Sequence, residues 1–150
     1  MIHEIANKIA GYFQCSSRGS CGAYAAWLTL ALLHHKITRF KVVFGWVNTR
    51  VADGLVRPQH VWIELPNGEK IDPTIVQFEN DFQKVNLKNP YGKKKKEYTP
   101  KEFLKNPDFW NDRTLSWVLG FTKPDTVVES GYHFEKLLEA HNGTSKEFVA

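Results

Sequence analysis

The sequence predicts a mixed fold of the α+β class, and three stretches carry that expectation. An apolar helix follows Ser20, a β-branched and aromatic run covers Phe40 to Val47, and two short strands flank Pro66-Asn67-Gly68. In the first stretch Ala23, Ala25, Ala26, Trp27, Leu28, Leu30, Ala31, Leu32 and Leu33 leave almost no polar face. Ala and Leu are strong helix formers, and a helix that is apolar all round is buried. At 150 residues, with 42% hydrophobic residues and five tryptophans, the chain can bury a proper core and reads as one domain.

The elements follow in chain order. Ile2, Ile5, Ile9 and Phe13 recur at spacings of three and four, the mark of a short amphipathic helix that Gly11 interrupts near its end. Gln14 to Ser17 is a polar loop. Ser20 is a candidate N-cap for the central helix, expected from about Cys21 to His35. His34 and His35 suit its C-terminal end, where the dipole favours cations. Phe40 to Val47 is apolar almost without interruption, as in a strand covered on both faces. Thr49 to Gln59 reads as a polar loop, His60 to Leu65 as a strand, and Glu69 to Thr74 as the next.

The turn between those strands fixes their register. Leu65-Pro66-Asn67-Gly68-Glu69 fits a type I turn with Pro in second position, followed by glycine in the left-handed conformation. In that register Leu65 faces Glu69, Ile63 faces Ile71, Glu64 faces Lys70 and Trp62 faces Asp72. The opposite charges of Glu64 and Lys70 agree with it. Asp72 then becomes a diagonal neighbour of His60, with Cα atoms roughly 7–8 Å apart, near enough for carboxylate and imidazole to meet. A two-residue Asn67-Gly68 loop would instead turn Asp72 to the other face.

Composition narrows the function classes. The net charge of +4 is modest and is concentrated at Lys93 to Lys96, so no nucleic acid partner is expected. Those lysines read as a solvated run after an exposed loop at Asn89-Pro90-Tyr91-Gly92. The two cysteines, Cys15 and Cys21, give neither a disulfide framework nor a zinc spacing, and no metal or other cofactor is expected. Met1-Ile2-His3-Glu4 lacks the basic-then-apolar pattern of a signal peptide, and the longest apolar run is too short to span a bilayer. A reducing, cytoplasmic setting and no membrane association are the expectation.

Cys21, His60 and Asp72 are the candidate catalytic residues. A thiol in the first turn of a helix sits where the dipole favours thiolate. A histidine can take the thiol proton and return it to a leaving group, and an aspartate can fix that histidine's tautomer. Each has a duller role alone, as a packed thiol, a strand-opening residue and a turn start. Together they make a nucleophile, a base and an orienting group.

At these residues the chain resembles the transglutaminase-like superfamily of papain-fold cysteine enzymes. The matching features are Gly19-Ser20-Cys21 opening the Ala/Leu helix, the strand Phe40 to Val47, His60-Val61-Trp62 and Asp72-Pro73-Thr74. Arg18-Gly19-x-Cys21 is also similar to the arylamine acetyltransferases, which share this core. The resemblance covers residues 14–76 and leaves 77–150 as a helical and loop extension. It implies an α+β core whose buried helix, bearing the nucleophile, packs on an antiparallel sheet, with Cys21, His60 and Asp72 as a triad. Gln14, seven residues before Cys21, is the candidate oxyanion residue, and the Cys21 backbone N–H is the alternative. Trp62 and Trp46 are the candidate substrate contacts.

The activity that follows is hydrolysis of an amide bond, in a peptide, an isopeptide or a glutamine side chain, through a thioester. The substrate would be a protein or peptide. Acyl transfer to an amine and a catalytically silent protein-binding module are the alternatives on the same fold. In the second half, Thr99-Pro100-Lys101-Glu102 starts a short helix through Lys105. Phe109, Trp110, Leu115, Trp117, Val118, Leu119 and Phe121 supply apolar mass for the core, or alternatively for the wall of a substrate cleft. Tyr132, Phe134, Leu137 and Leu138 predict a final helix ending near Asn142-Gly143.

Overall fold

The structure, a computed structural model, describes residues 1–11, 13, 15, 20–51, 54–56, 59–78, 89–106 and 134–144. These form an α+β arrangement. Helices α1 (Ile2–Gly11) and α2 (Ser20–His34) lead into β1 (Lys41–Val47), a hairpin of β2 (Thr49–Val51) and β3 (Gly54–Val56), and then β4 (Gln59–Glu64) and β5 (Lys70–Ile71). A 3-10 helix (Pro73–Phe78), β6 (Tyr91–Tyr98), α3 (Pro100–Leu104) and α4 (Phe134–Thr144) follow. The main sheet has four strands in the order β5-β4-β1-β6, every adjacent pair antiparallel. The continuous apolar run thus supplies a central strand, as its composition implies.

Helix α2 is the hub. Every residue from Gly22 to Leu32 is buried, because α1, α3, α4, β4 and the 3-10 helix all pack against it. Tyr24 Oη donates to the Ala6 carbonyl at 2.7 Å and ties α2 to α1. Trp27 stacks on Phe134 of α4 with ring centroids 5.8 Å apart. Burying a leucine such as Leu28 or Leu32 is worth about 1.5–3 kcal/mol. The helix ends in a Schellman motif: Ile37 N–H donates to Leu32 O and Lys36 N–H to Leu33 O. Lys36 stands in the left-handed region at φ 63°.

The predicted β4–β5 hairpin forms in the predicted register. Ile63 pairs with Ile71 and Glu64 with Lys70. The Leu65 N–H donates to Glu69 O at 2.8 Å, and Gly68 sits at φ +86°. The Glu64 carboxylate, however, pairs with Lys94 at 2.8 Å, while Lys70 Nζ lies 5.1 Å from the Tyr91 ring centroid.

Four expectations are corrected. Ser20 is helical and does not cap α2: its hydroxyl donates to the Cys15 carbonyl at 3.1 Å. Thr49 to Gln59 is not a loop, since it holds the β2–β3 hairpin and opens β4. The strand expected over Glu69 to Thr74 stops at Ile71. Pro73 has no N–H for a ladder, and the Ile75 N–H donates to Asp72 O to open the 3-10 helix. That helix occupies Pro73–Phe78 and so takes in the last two residues of the expected strand. Finally, Tyr91 and Gly92, expected in an exposed loop, open β6, and the solvated lysine run continues that strand at the sheet edge, a common way to keep an edge from pairing with other chains.

The capping box at Thr99 is present, with the Thr99 hydroxyl accepting from Glu102 N–H and the Glu102 carboxylate accepting from Thr99 N–H. Among the described residues no helix is long and apolar enough to cross a membrane. The apolar residues from Phe109 to Phe121, and Tyr132, lie outside the described residues.

Candidate active site

Asp72 and His60 meet as the hairpin register requires. His60 is the second residue of β4, Asp72 directly follows β5, and Nε2 of the imidazole lies 2.6 Å from Oδ2 of the carboxylate. A carboxylate can only accept here, so Nε2 carries the hydrogen and Nδ1 is the nitrogen left for chemistry. The pair is sealed from water: His60 is 1% exposed, and the Asp72 side chain 2%.

Two further groups hold the carboxylate. Thr74 Oγ1 donates to Oδ1 at 2.8 Å. Tyr91 Oη donates to Oδ2, the oxygen that also serves His60, at 2.8 Å. Thr74 follows from the 3-10 turn that Pro73 begins. Tyr91 comes from the opposite edge strand, and the sequence reading missed it. The signal available for it was only an aromatic opening a strand that lysines disguise.

The imidazole is framed by rings. Trp62 stacks on it at 5.9 Å between centroids, and Phe78 meets it edge-on at 5.2 Å. Trp62 also packs against Tyr91 at 5.0 Å, and its Nε1 donates to Glu64 Oε2 at 3.3 Å. Trp46 pairs with Gln59, one step from the Gly45–His60 pair. By the alternation of the pleat it leaves the opposite face of the sheet from His60. Of the two candidate substrate contacts, Trp62 alone is brought to the histidine, and it is itself 1% exposed.

Cys21, the second residue of α2, is a partly exposed free thiol beside the wholly buried Ser20 and Gly22. It lies close enough to act on the imidazole. Burial by itself lowers the His60 pKa, but the hydrogen bond to Asp72 and the nearness of Cys21, together with the charges of both, outweigh it and raise the value to about 9. Nδ1 is fully buried and has no formed hydrogen bond, so the contact with the thiol falls short of good hydrogen-bond geometry. The other cysteine differs. Burial, with the Asp72 charge adding, pushes the Cys15 thiol up to about 11. Burial and the same charge also raise the Tyr91 hydroxyl, which keeps it a donor.

The three candidate catalytic side chains therefore belong to one cluster. Gln14 lies outside the described residues, as do Arg18 and Gly19. Among the described residues no group of three His, Cys, Asp or Glu side chains could hold a metal ion. Compared with known protein families, curated proteins and solved structures, the chain matches none.

Proposed function

We propose that the chain is a cysteine-dependent hydrolase of the transglutaminase-like, papain-fold kind, cleaving an amide bond of a protein or peptide through Cys21, His60 and Asp72. One observation carries this reading. A buried imidazole has one nitrogen bound to a carboxylate at 2.6 Å, while the other is unpartnered beside a thiol at a helix start.

The chemistry follows from those positions. His60 Nδ1 takes the Cys21 proton, and the sulfur attacks the amide carbon to form a C–S bond. The Cys21 N–H, among those an α-helix leaves without an intrahelical partner, is available to the oxyanion. As the tetrahedral intermediate collapses, the C–N bond breaks and the imidazolium proton goes to the departing amine. Water then attacks the thioester while His60 takes its proton, the C–S bond breaks, and the carboxylic acid leaves with the thiol restored. Asp72 keeps the hydrogen on Nε2 and supports the charge during each transfer. An amine in place of that water would give acyl transfer.

A glutamine-directed, thiol-reactive activity probe tests the reading. It should form one covalent adduct, on Cys21, and none in Cys21→Ala. An adduct on Cys15, or one that survives the substitution, contradicts it.

A further inference from the structure

We infer that Tyr91 is a positioning residue for the Asp72–His60 pair, whose hydroxyl shares the carboxylate oxygen bound by the imidazole and so sets how firmly His60 holds its proton. The inference rests on the proposed function for its importance but on geometry for its content. Oδ2 of Asp72 accepts from His60 Nε2 at 2.6 Å and from Tyr91 Oη at 2.8 Å. Two donors on one oxygen divide its charge. The Tyr91 bond stabilises the carboxylate and thereby weakens its hold on an imidazolium.

The ring of Tyr91 is fixed independently of that bond. It packs on Trp62, which in turn stacks on His60, and Lys70 Nζ lies over it. Tyr91 therefore fixes the pair from a third strand. Asp72 follows β5 and His60 lies in β4, whereas β6 lies beyond β1 at the far edge of the sheet. The backbone joins β6 to this corner as well: the Asn48 N–H donates to Pro90 O and the Asn48 side chain to Tyr91 O. Among the described residues, the titratable groups facing the pair are Cys21 from α2 on His60, and Tyr91 from β6 on Asp72. Lys70 of β5 stands over Tyr91, and Cys15 and Tyr24 sense the Asp72 charge from further off.

Tyr91→Phe removes the oxygen and keeps the ring. The titration of the His60 imidazole, followed by ring-nitrogen NMR below the melting temperature of both proteins, should move to higher pH by roughly half a unit or more. Tyr91→Leu, which loses ring and hydroxyl alike, should raise the midpoint at least as far. An unmoved midpoint in both folded variants overturns the inference, because a purely packing role would leave His60 titrating as before. Cys21 alkylation in the wild-type sample judges the proposed function separately. A slow Cys21 with a shifted midpoint sinks the hydrolase reading and supports the role of Tyr91. A fast Cys21 with an unmoved midpoint sinks only the role.

Discussion

The Trp62 indole lies across Gly45, so that a Cβ at that glycine would stand 2.7 Å from Trp62 Cη2 and 2.7 Å from the Lys93 carbonyl oxygen. Gly45 is also the residue opposite His60 in the β1–β4 ladder. The β1–β6 register shifts on either side of it. The glycine thus leaves room for the ring that backs the imidazole.

Gly45→Ala should therefore disturb the site without touching a candidate catalytic residue. Neither the backbone carbonyl nor the buried ring can move aside easily, and overpacking of this kind costs about 1–3 kcal/mol. Urea denaturation should show that loss, and Cys21 alkylation should slow as Trp62 shifts against His60. Unchanged stability and labelling would mean that the ring moves freely.

The hairpin that joins His60 to Asp72 was legible because turn chemistry and register are coupled: Pro66 and Gly68 favour the three-residue loop over the two-residue one, and that loop sends Asp72 to the His60 face. The central helix and β1 were legible from composition. The role of β6 was not. Four consecutive lysines have weak strand preference, and they occupy an edge where exposure is tolerated, so nothing local marks the strand. Tyr91 was hidden with it, since its bond to Asp72 depends on pairing between β6 and β1. The β2–β3 hairpin was missed for a related reason: its strands are three residues each, too short for alternation to register.

Asp72→Asn keeps the shape of a residue that accepts three hydrogen bonds. Turnover should fall by orders of magnitude, since the amide no longer enforces a hydrogen on Nε2. Losing hydrogen bonds to a charged group should cost about 1–3 kcal/mol of stability. The His60 titration should move down, because burial lowers it and no carboxylate opposes. Near-normal turnover would reduce Asp72 to a turn residue.

Stability should depend on pH through His60. Its value rises from an ordinary 6.5 to about 9 in the fold, so the folded state holds the proton more tightly. The stabilisation is complete below 6.5 and disappears as pH climbs through about 9. Its size is on the order of 1–3 kcal/mol. The Cys15 thiol, neutral in the fold up to about 11 against an ordinary 9.0, extends the loss to higher pH. Denaturation midpoints measured across that range should fall steadily, and less steeply in His60→Ala. A flat profile would show that the pair titrates as it does in the unfolded chain.

Lys36→Gly should stabilise the protein by about 0.5–1 kcal/mol, because a side chain in the left-handed region at the end of α2 is strained and glycine is not. A melting temperature that falls would show that the Lys36 side chain contributes more than its backbone costs.

The central claim is that Cys21 and His60 act as a pair, and site-resolved alkylation by iodoacetamide near neutral pH tests it most directly. Peptide mapping should find Cys21 modified far faster than Cys15, whose thiol burial pushes up to about 11. His60→Ala should slow the Cys21 reaction, because the base that takes the thiol proton is gone. Labelling of Cys15 as fast as Cys21, or a Cys21 rate unmoved by His60→Ala, would contradict the account.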